Sequence, residues 1–419
     1  MGMTMAEKIL ARASGRQVVK PGEYVTAQVD RIMAHDNTFW KACELLEEYG
    51  TGLCDPERIV AVIDHRVPAL NVAVAEMHVK MRKYAQKYGV KAFYDAGEGI
   101  CHTVLPEKGH ALPGRLIIGS DSHTTTYGAF GVASCGMGLS EVTYTMATGE
   151  NWFRVPETIR FEMTGKLGFG VTSKDLMLHL AGTFKSEVAQ YKAVEFGGPV
   201  AAALSQSDRI TMSNMGVEIG AKFAFFEADA KTVAWLKPRT TEPVAPFGPD
   251  PDAVYAQVYT LDADGLEPQV AVPHYVDNVK PISQVGDVPV HQAFIGSCTN
   301  SRVEDLVRAA AILKGRRVKE GTRLILIPAS REVLTEITRN GVLATFVEAG
   351  AMLSPPGCGP CGGGSQGILG PGETAISSTN RNFKGRMGST ESQVFLGSPE
   401  TVAASAVEGK ITDPRKYLA

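Results

Sequence analysis

Residues 115–124 read Arg-Leu-Ile-Ile-Gly-Ser-Asp-Ser-His-Thr, and residues 292–300 read Gln-Ala-Phe-Ile-Gly-Ser-Cys-Thr-Asn. Each is a short strand-forming run that stops at a small polar turn carrying chemically able side chains. A third run, Arg58–Ile63, stops in the same way at Asp64-His65. Apolar runs of this length, without polar alternation, belong to strands buried on both faces, as in parallel sheets. Helix-like stretches separate them, so the pattern predicts an α/β fold. In open α/β sheets, ligands sit beyond the carboxyl ends of the strands. Asp64, His65, Asp121, Ser122, His123 and Cys298 are therefore expected around one cleft.

The same reading extends along the chain. Leu324–Ile327 is a further strand, and Ser330 opens the helix after it. The segment after Cys298 reads as a helix with Ser301 and Glu304 as a capping box. Residues 237–253 (KPRTTEPVAPFGPDPDA) carry prolines that forbid regular elements, which marks them as a linker. Three α/β units are expected, over 1–156, 157–285 and 286–419. No solenoid period or heptad run is present.

Composition narrows the function. The 419 residues carry a formal net charge of −3, with 44% hydrophobic and 21% charged residues, which fits an ordinary globular chain. No Lys/Arg-rich run points to nucleic acid, and no apolar run reaches the ~18 residues of a membrane span. The N-terminal segment lacks a secretory pattern, so a cytoplasmic location is expected. Seven cysteines at this low density read as buried thiols or metal ligands rather than disulfides.

Cys358-Gly-Pro-Cys361 is a CxxC in a Gly/Pro-rich loop. Alone it fits a redox dithiol, half a zinc site or half an iron–sulfur site. No second CxxC or paired histidines complete a zinc site. With Cys298, three thiolates suit a [4Fe–4S] cluster, one per chain, that leaves one iron open for catalysis. Cys43, Cys54, Cys101 and Cys135 read as small buried side chains, the last two near the cleft. Asp64-His65 and Asp121-Ser-His123 pair a carboxylate with an imidazole at two strand ends, a general-acid arrangement that His102 can join. His35-Asp36 lies in a helix-like stretch and reads as a surface pair. Asn214 and Glu218 are spaced to share a helix face. Asn380-Arg381-Asn-Phe-Lys-Gly-Arg386 places two arginines where they can clamp carboxylates.

Taken together, these motifs resemble the large, catalytic subunits of the 3-isopropylmalate dehydratases, within the aconitase superfamily. The resemblance runs almost end to end. It rests on Asp64-His65, Gly119-Ser-Asp-Ser-His-Thr124, Gly128-Ala-Phe-Gly131, Val171-Thr-Ser-Lys-Asp175, Asn214-Met-Gly-Val-Glu218, Gly296-Ser-Cys-Thr-Asn-Ser-Arg302, Gly357-Cys-Gly-Pro-Cys361 and Asn380 to Gly388. It implies an aconitase-type fold around a central cleft, with Cys298, Cys358 and Cys361 ligating the cluster. It further implies that His65, oriented by Asp64, protonates a leaving hydroxyl. Asp121, His123, His102 and Glu218 would handle the hydroxyl or water. Ser122, Asn214, Asn380, Arg381 and Arg386 would position substrate or cluster.

The implied reaction moves a hydroxyl between adjacent carbons of a substituted malate by loss and re-addition of water, as in leucine biosynthesis. In this family the carbon acid is deprotonated by a serine on a swivel domain. That domain is expected to be absent here and to come from a separate small subunit. One departure touches the site: leucine-branch enzymes carry a larger apolar residue at 362 and a histidine near 365, where this chain has Gly362 and Ser365. Homoaconitate, citramalate and 2,3-dimethylmalate dehydratases are therefore alternative readings. A cluster-sensing regulatory binding protein and a zinc-structured assembly subunit are readings of other classes.

Overall fold

The computed structural model describes residues 2–418, and each run read above as a buried strand is one. Ile59–Val62, Leu116–Gly119 and Gln292–Ile295 are buried at every position. The first sheet is wholly parallel, in the spatial order Ala92–Tyr94, Ile59–Val62, Arg31–His35, Leu116–Gly119, Ala133–Gly136. The second is also parallel, in the order Phe223–Phe226, Ala193–Gly197, Thr158–Thr164, Gln257–Asp262. The third runs Val279–Pro281, Gln269–Ala271, Gln393–Leu396, Thr374–Ser377, Gln292–Ile295, Arg323–Leu326, Met352–Leu353. Its last five strands are parallel, and its first two join antiparallel. The strands Gln269–Ala271 and Val279–Pro281, expected in the 157–285 unit, pair in the third sheet instead. Among the described residues, no helix is long and apolar enough to cross a membrane.

The sheets do not stand apart. One apolar core joins Met33, Val60, Val62 and Ile117 of the first sheet to Ala293, Ile295, Leu324 and Leu326 of the third. Another joins Phe161 and Phe196 of the second to Phe294 and Ile325 of the third and to Cys361 of the CxxC turn. Backbone bonds stitch the first and third units together: Ile100 donates to Ala329 and Arg331 to Glu98, at 2.9 and 2.8 Å. Gly99 sits at this seam with φ of 136°, and a Cβ there would lie 2.6 Å from the Ser330 Cα. Shared cores and backbone bridges fix the distance between strand ends that belong to different sheets.

Three local expectations are corrected. The helix after Cys298 is Val303–Leu313, capped by Arg302, whose backbone N–H donates to Asp305; Ser301 instead donates to the Ile327 carbonyl. Ser330 does cap the helix Arg331–Arg339. Residues 237–253 lack regular elements beyond a single turn, as their prolines require, but they are not a linker. They form a strap on the first unit, where Lys8 reaches the Gly248 carbonyl at 2.9 Å and Arg115 pairs with Glu242. Cys54 is exposed rather than buried.

Close approach also fixes the turn after Leu116–Gly119. Ser122–Phe130 is a run of 3-10 helix laid against Phe223–Phe226 of the second sheet. A Cβ on Gly128 would fall on the Ala224 carbonyl oxygen. Gly128→Ala is expected to destabilise the chain by about 1–3 kcal/mol through overpacking. Urea denaturation measures this; an unchanged midpoint would contradict the close packing.

Candidate active site

The carboxyl ends of the first and third sheets meet at Asp64. Its carboxylate is fully buried and bonded on both oxygens: Oδ1 lies 2.7 Å from His65 Nδ1, and Oδ2 accepts the Cys101 N–H at 2.8 Å. Its carbonyl accepts the Cys358 N–H at 2.9 Å, which ties the CxxC loop of the third unit to the first. Cys101 opens the helix Cys101–Glu107, so Asp64 also lies at a helix N-terminus, where a negative charge is stabilised. Burial opposes its ionisation, but His65 and the other donors outweigh this and hold the carboxyl below its usual range. Burial likewise opposes a charged His65, but Asp64, Cys358 and Asp121 raise its pKa well above the ordinary imidazole value. These contacts favour a protonated ring whose Nδ1–H is held by Asp64 and whose Nε2 faces Asp121.

Asp121 lies opposite. Its Oδ2 is 3.5 Å from His65 Nε2, and its Oδ1 is 2.7 Å from His102 Nε2 and from the His123 N–H. Burial opposes its charge, but these three histidines hold its pKa well below the usual value. Burial lowers the pKa of His102 despite Asp121. A neutral ring results, which donates from Nε2 to Asp121 and has the Tyr127 hydroxyl 3.2 Å from Nδ1. His123 Nε2 meets Glu218 Oε1 at 2.8 Å, and the same oxygen takes Arg381 Nε at 2.7 Å. Arg381 also donates to the Ser122 hydroxyl at 2.9 Å. Each carboxylate thus holds at least one cation or ring in place.

The three cysteines converge on the same ground. Asn214 Nδ2 donates to Cys298 Sγ at 3.1 Å, and Asn380 Nδ2 lies 3.5 Å from it. Asn380 Oδ1 accepts from Cys361 Sγ at 3.9 Å, and Arg386 Nη2 approaches that sulfur at 3.8 Å. Cys358 Sγ is 4.0 Å from Asp64 Oδ2. All three thiols are free. Ser297, with φ of 80°, makes the turn after Gln292–Ile295 that aims Cys298 inward. A left-handed non-glycine residue stores backbone strain of a kind that clusters at functional sites. Burial pushes the Cys298 thiol up to about 12. A sulfur with N–H donors aimed at it fits a metal-bound thiolate better than a buried thiol. Arg386 Nε, buried and without a hydrogen-bond partner among the described residues, is a further donor in this group. The chemistry of this donor set fits an iron–sulfur cluster.

All fourteen sequence-selected residues are therefore brought together. Two details differ from expectation. The helix Gln206–Asn214 ends at Asn214, and Glu218 follows on a 3-10 turn, yet both side chains reach the cleft. His35-Asp36 is no surface pair: it ends the strand Arg31–His35, is 5% and 0% exposed, and lies against His65. The Val171–Asp175 motif also finds its use. Lys174 is fully buried, and its Nζ donates to the Ser378 carbonyl at 3.1 Å and to that of Thr379, bracing the strand end that carries Asn380 and Arg381. Beside Cys361, Gly362 faces open space, and the buried Ser365 hydroxyl has no partner among the described residues.

With this geometry in view, the comparisons are direct. The model of the Aconitase family (aconitate hydratase) matches residues 7–287 and 283–409. The chain is 49% identical over 419 residues, all of both chains, to 3-isopropylmalate dehydratase large subunit 1 of Methanopyrus kandleri. It is 45% identical to the 3-isopropylmalate dehydratase large subunit of Aquifex aeolicus, covering 100% of this chain and 98% of that one. In fold it is similar to holo aconitase X of Thermococcus kodakaraensis, with a TM-score of 0.54 at 12% identity over 91% of this chain and 90% of the other. The chain belongs to the aconitase family. It is a hydro-lyase of that family, of the large-subunit type.

Burial lowers the pKa of Lys174 to about 7. The unfolded chain therefore binds this proton more tightly, and the cost of the buried charge, full below pH about 7, is relieved as pH rises toward the ~10.4 of a free lysine. The unfolding free energy of wild type relative to Lys174→Met should rise over that interval. A difference flat with pH would contradict the assignment.

Proposed function

We propose that this chain is the large, catalytic subunit of a [4Fe–4S] dehydratase that interconverts 2- and 3-isopropylmalate in leucine biosynthesis, in the cytoplasm, with a separate small subunit completing the site. The observation that carries the reading is the convergence of Cys298, Cys358 and Cys361 on the His65–Asp121 pair. The relatives named as 3-isopropylmalate dehydratase large subunits, matched along nearly their full length, support isopropylmalate as the substrate and a small subunit as the partner.

Cys298, Cys358 and Cys361 would hold the cluster. When bound, it supplies an iron with an open coordination position, a Lewis acid that weakens a carbon–hydroxyl bond. The chain's own residues do the rest. Hydroxide leaves poorly, so His65 gives its Nε2 proton to the departing oxygen, and Asp64 keeps the ring in the tautomer that can do so. Asp121, held by His102 and His123, fixes the position of the oxygen across from His65. Arg381, set by Glu218 and Ser122, and Arg386 bind the substrate carboxylates and stabilise the negative charge that develops as the adjacent C–H proton is lost. Asn214 and Asn380 hold the sulfurs in place. The base for that proton is the contribution assigned to the small subunit.

The test is co-purification with the small subunit, anaerobic reconstitution with iron and sulfide, and an assay for the ultraviolet absorbance of the unsaturated intermediate. Isopropylmalate should give the highest kcat/KM in a panel with homocitrate, citramalate and 2,3-dimethylmalate. A higher value for another diacid would move the substrate assignment. Cys358→Ser should lose the visible absorption of the cluster and all activity, while Cys43→Ala keeps both. Full activity in Cys358→Ser would overturn the cluster assignment.

A further inference from the structure

His35, Asp36, Asp64 and His65 place their ligand-type atoms within 4.8 Å of one another, a spacing that would also suit a metal ion. Their hydrogen bonds argue otherwise. His35 Nδ1 accepts the Asn37 N–H at 3.2 Å, so this nitrogen carries no proton. Its Nε2 is 3.1 Å from the Ser120 carbonyl, an acceptor only, so Nε2 carries the proton. His35 is thereby locked as one neutral tautomer with both ring nitrogens used, and has no lone pair left for a cation. The Asp36 carboxylate is spent in the same way. Oδ1 accepts the His65 N–H at 3.3 Å and Oδ2 the Arg66 N–H at 3.0 Å. Asp64 serves His65 and Cys101, as described.

These bonds share one object. Asp36 grips the backbone of residues 65 and 66, and the His35 ring stacks on the His65 ring at a centroid distance of 4.1 Å and an interplanar angle of 26°. Asp64 fixes the same ring at its edge. A ring held at its backbone, one face and one nitrogen has one orientation left, with Nε2 toward Asp121. The strand end Arg31–His35 lies beside Ile59–Val62 in the first sheet, and parallel pairing sets His35 opposite Val62, two residues before Asp64. The stack is thus built on sheet register rather than on a loop.

We infer that His35 and Asp36 are positioning residues for His65: Asp36 clamps the turn that carries it, and His35 is a neutral, tautomer-locked plate that sets the plane of its ring. Both act through the contacts they make with residues 65 and 66. The inference rests on the reading of His65 as proton donor. Misplacing a catalytic group by about an ångström can cost roughly 100-fold in rate. The effect is expected in kcat, the parameter that a misplaced proton donor lowers.

The experiment uses the reconstituted two-subunit holoenzyme and six forms of the chain: wild type, His65→Asn, Asp36→Asn, Asp36→Ala, His35→Ala and His35→Phe. Asp36→Asn keeps the shape but loses one acceptor for the two backbone N–H groups. His35→Phe keeps the plate but loses its hydrogen bonds. The expected result is a fall in kcat on the order of 10- to 100-fold in Asp36→Asn and His35→Ala, with KM and visible cluster absorption unchanged, and substantial recovery of kcat in His35→Phe relative to His35→Ala. A merely structural role would lower the thermal midpoint and cluster content together and would give no rescue by a bare ring. The inference is overturned if kcat in Asp36→Asn and His35→Ala stays at wild type while His65→Asn is inactive. It is also overturned if His35→Phe is no better than His35→Ala. If Asp36→Ala fails to fold, Asp36→Asn and the His35 pair decide the matter alone. Wild-type kcat in His65→Asn would instead mark failure of the proton-donor reading itself.

Discussion

The site depends on a single buried carboxylate. Asp64 bonds His65 through one oxygen and the first turn of the helix Cys101–Glu107 through the other, and its carbonyl receives the Cys358 N–H. One residue thus joins the imidazole, the helix that carries His102 and the CxxC loop. A buried charge is costly unless every lone pair is used. Here the cost is offset by the His65 ring on one oxygen and, on the other, by the Cys101 N–H at the first turn of a helix, so the same bonds that stabilise Asp64 also place the chemistry.

The same economy recurs across the cleft. Asp121 is surrounded by His65, His102 and His123, and Glu218 by His123 and Arg381. Acid and imidazole alternate from Asp36 through His65 and Asp121 to His123 and Glu218. In low dielectric such an alternation gives each buried polar group a partner of complementary charge or hydrogen-bonding character. Beside this row lie the three sulfurs, two of them with amide and guanidinium donors. On the proposed reading, a ligand between them would meet the His65 proton donor and the Arg381 and Arg386 guanidinium groups, as dehydration requires.

Much of this was legible in the sequence because it sits where strands stop. A buried parallel strand is a continuous apolar run, and its end is marked by small polar residues; Asp64-His65, Asp121 to His123 and Cys298 announce themselves this way. Cys358, Cys361 and the 380–386 segment are conspicuous for their composition. His35-Asp36 was missed because Arg31 to Cys43 mixes apolar and polar residues at helical spacing. In fact a strand ends at His35 and a helix begins at Phe39. The value of the pair lies in contacts with residues 65 and 66, which no local pattern encodes. The prolines of 237–253 revealed the absence of regular structure but not that the segment straps itself to the first unit. Lys174 could be read only as part of a motif, since its carbonyl partners lie over two hundred residues away.

The central claim is that Cys298, Cys358 and Cys361 would hold an iron–sulfur cluster that supplies a Lewis acid to the reaction. Mössbauer spectroscopy of the holoenzyme reconstituted with ⁵⁷Fe, recorded with and without isopropylmalate, tests it most directly. The account predicts one iron environment distinct from the other three, whose signal alone shifts when substrate is added. Four irons indifferent to substrate, or a protein that takes up zinc and no sulfide, would contradict it.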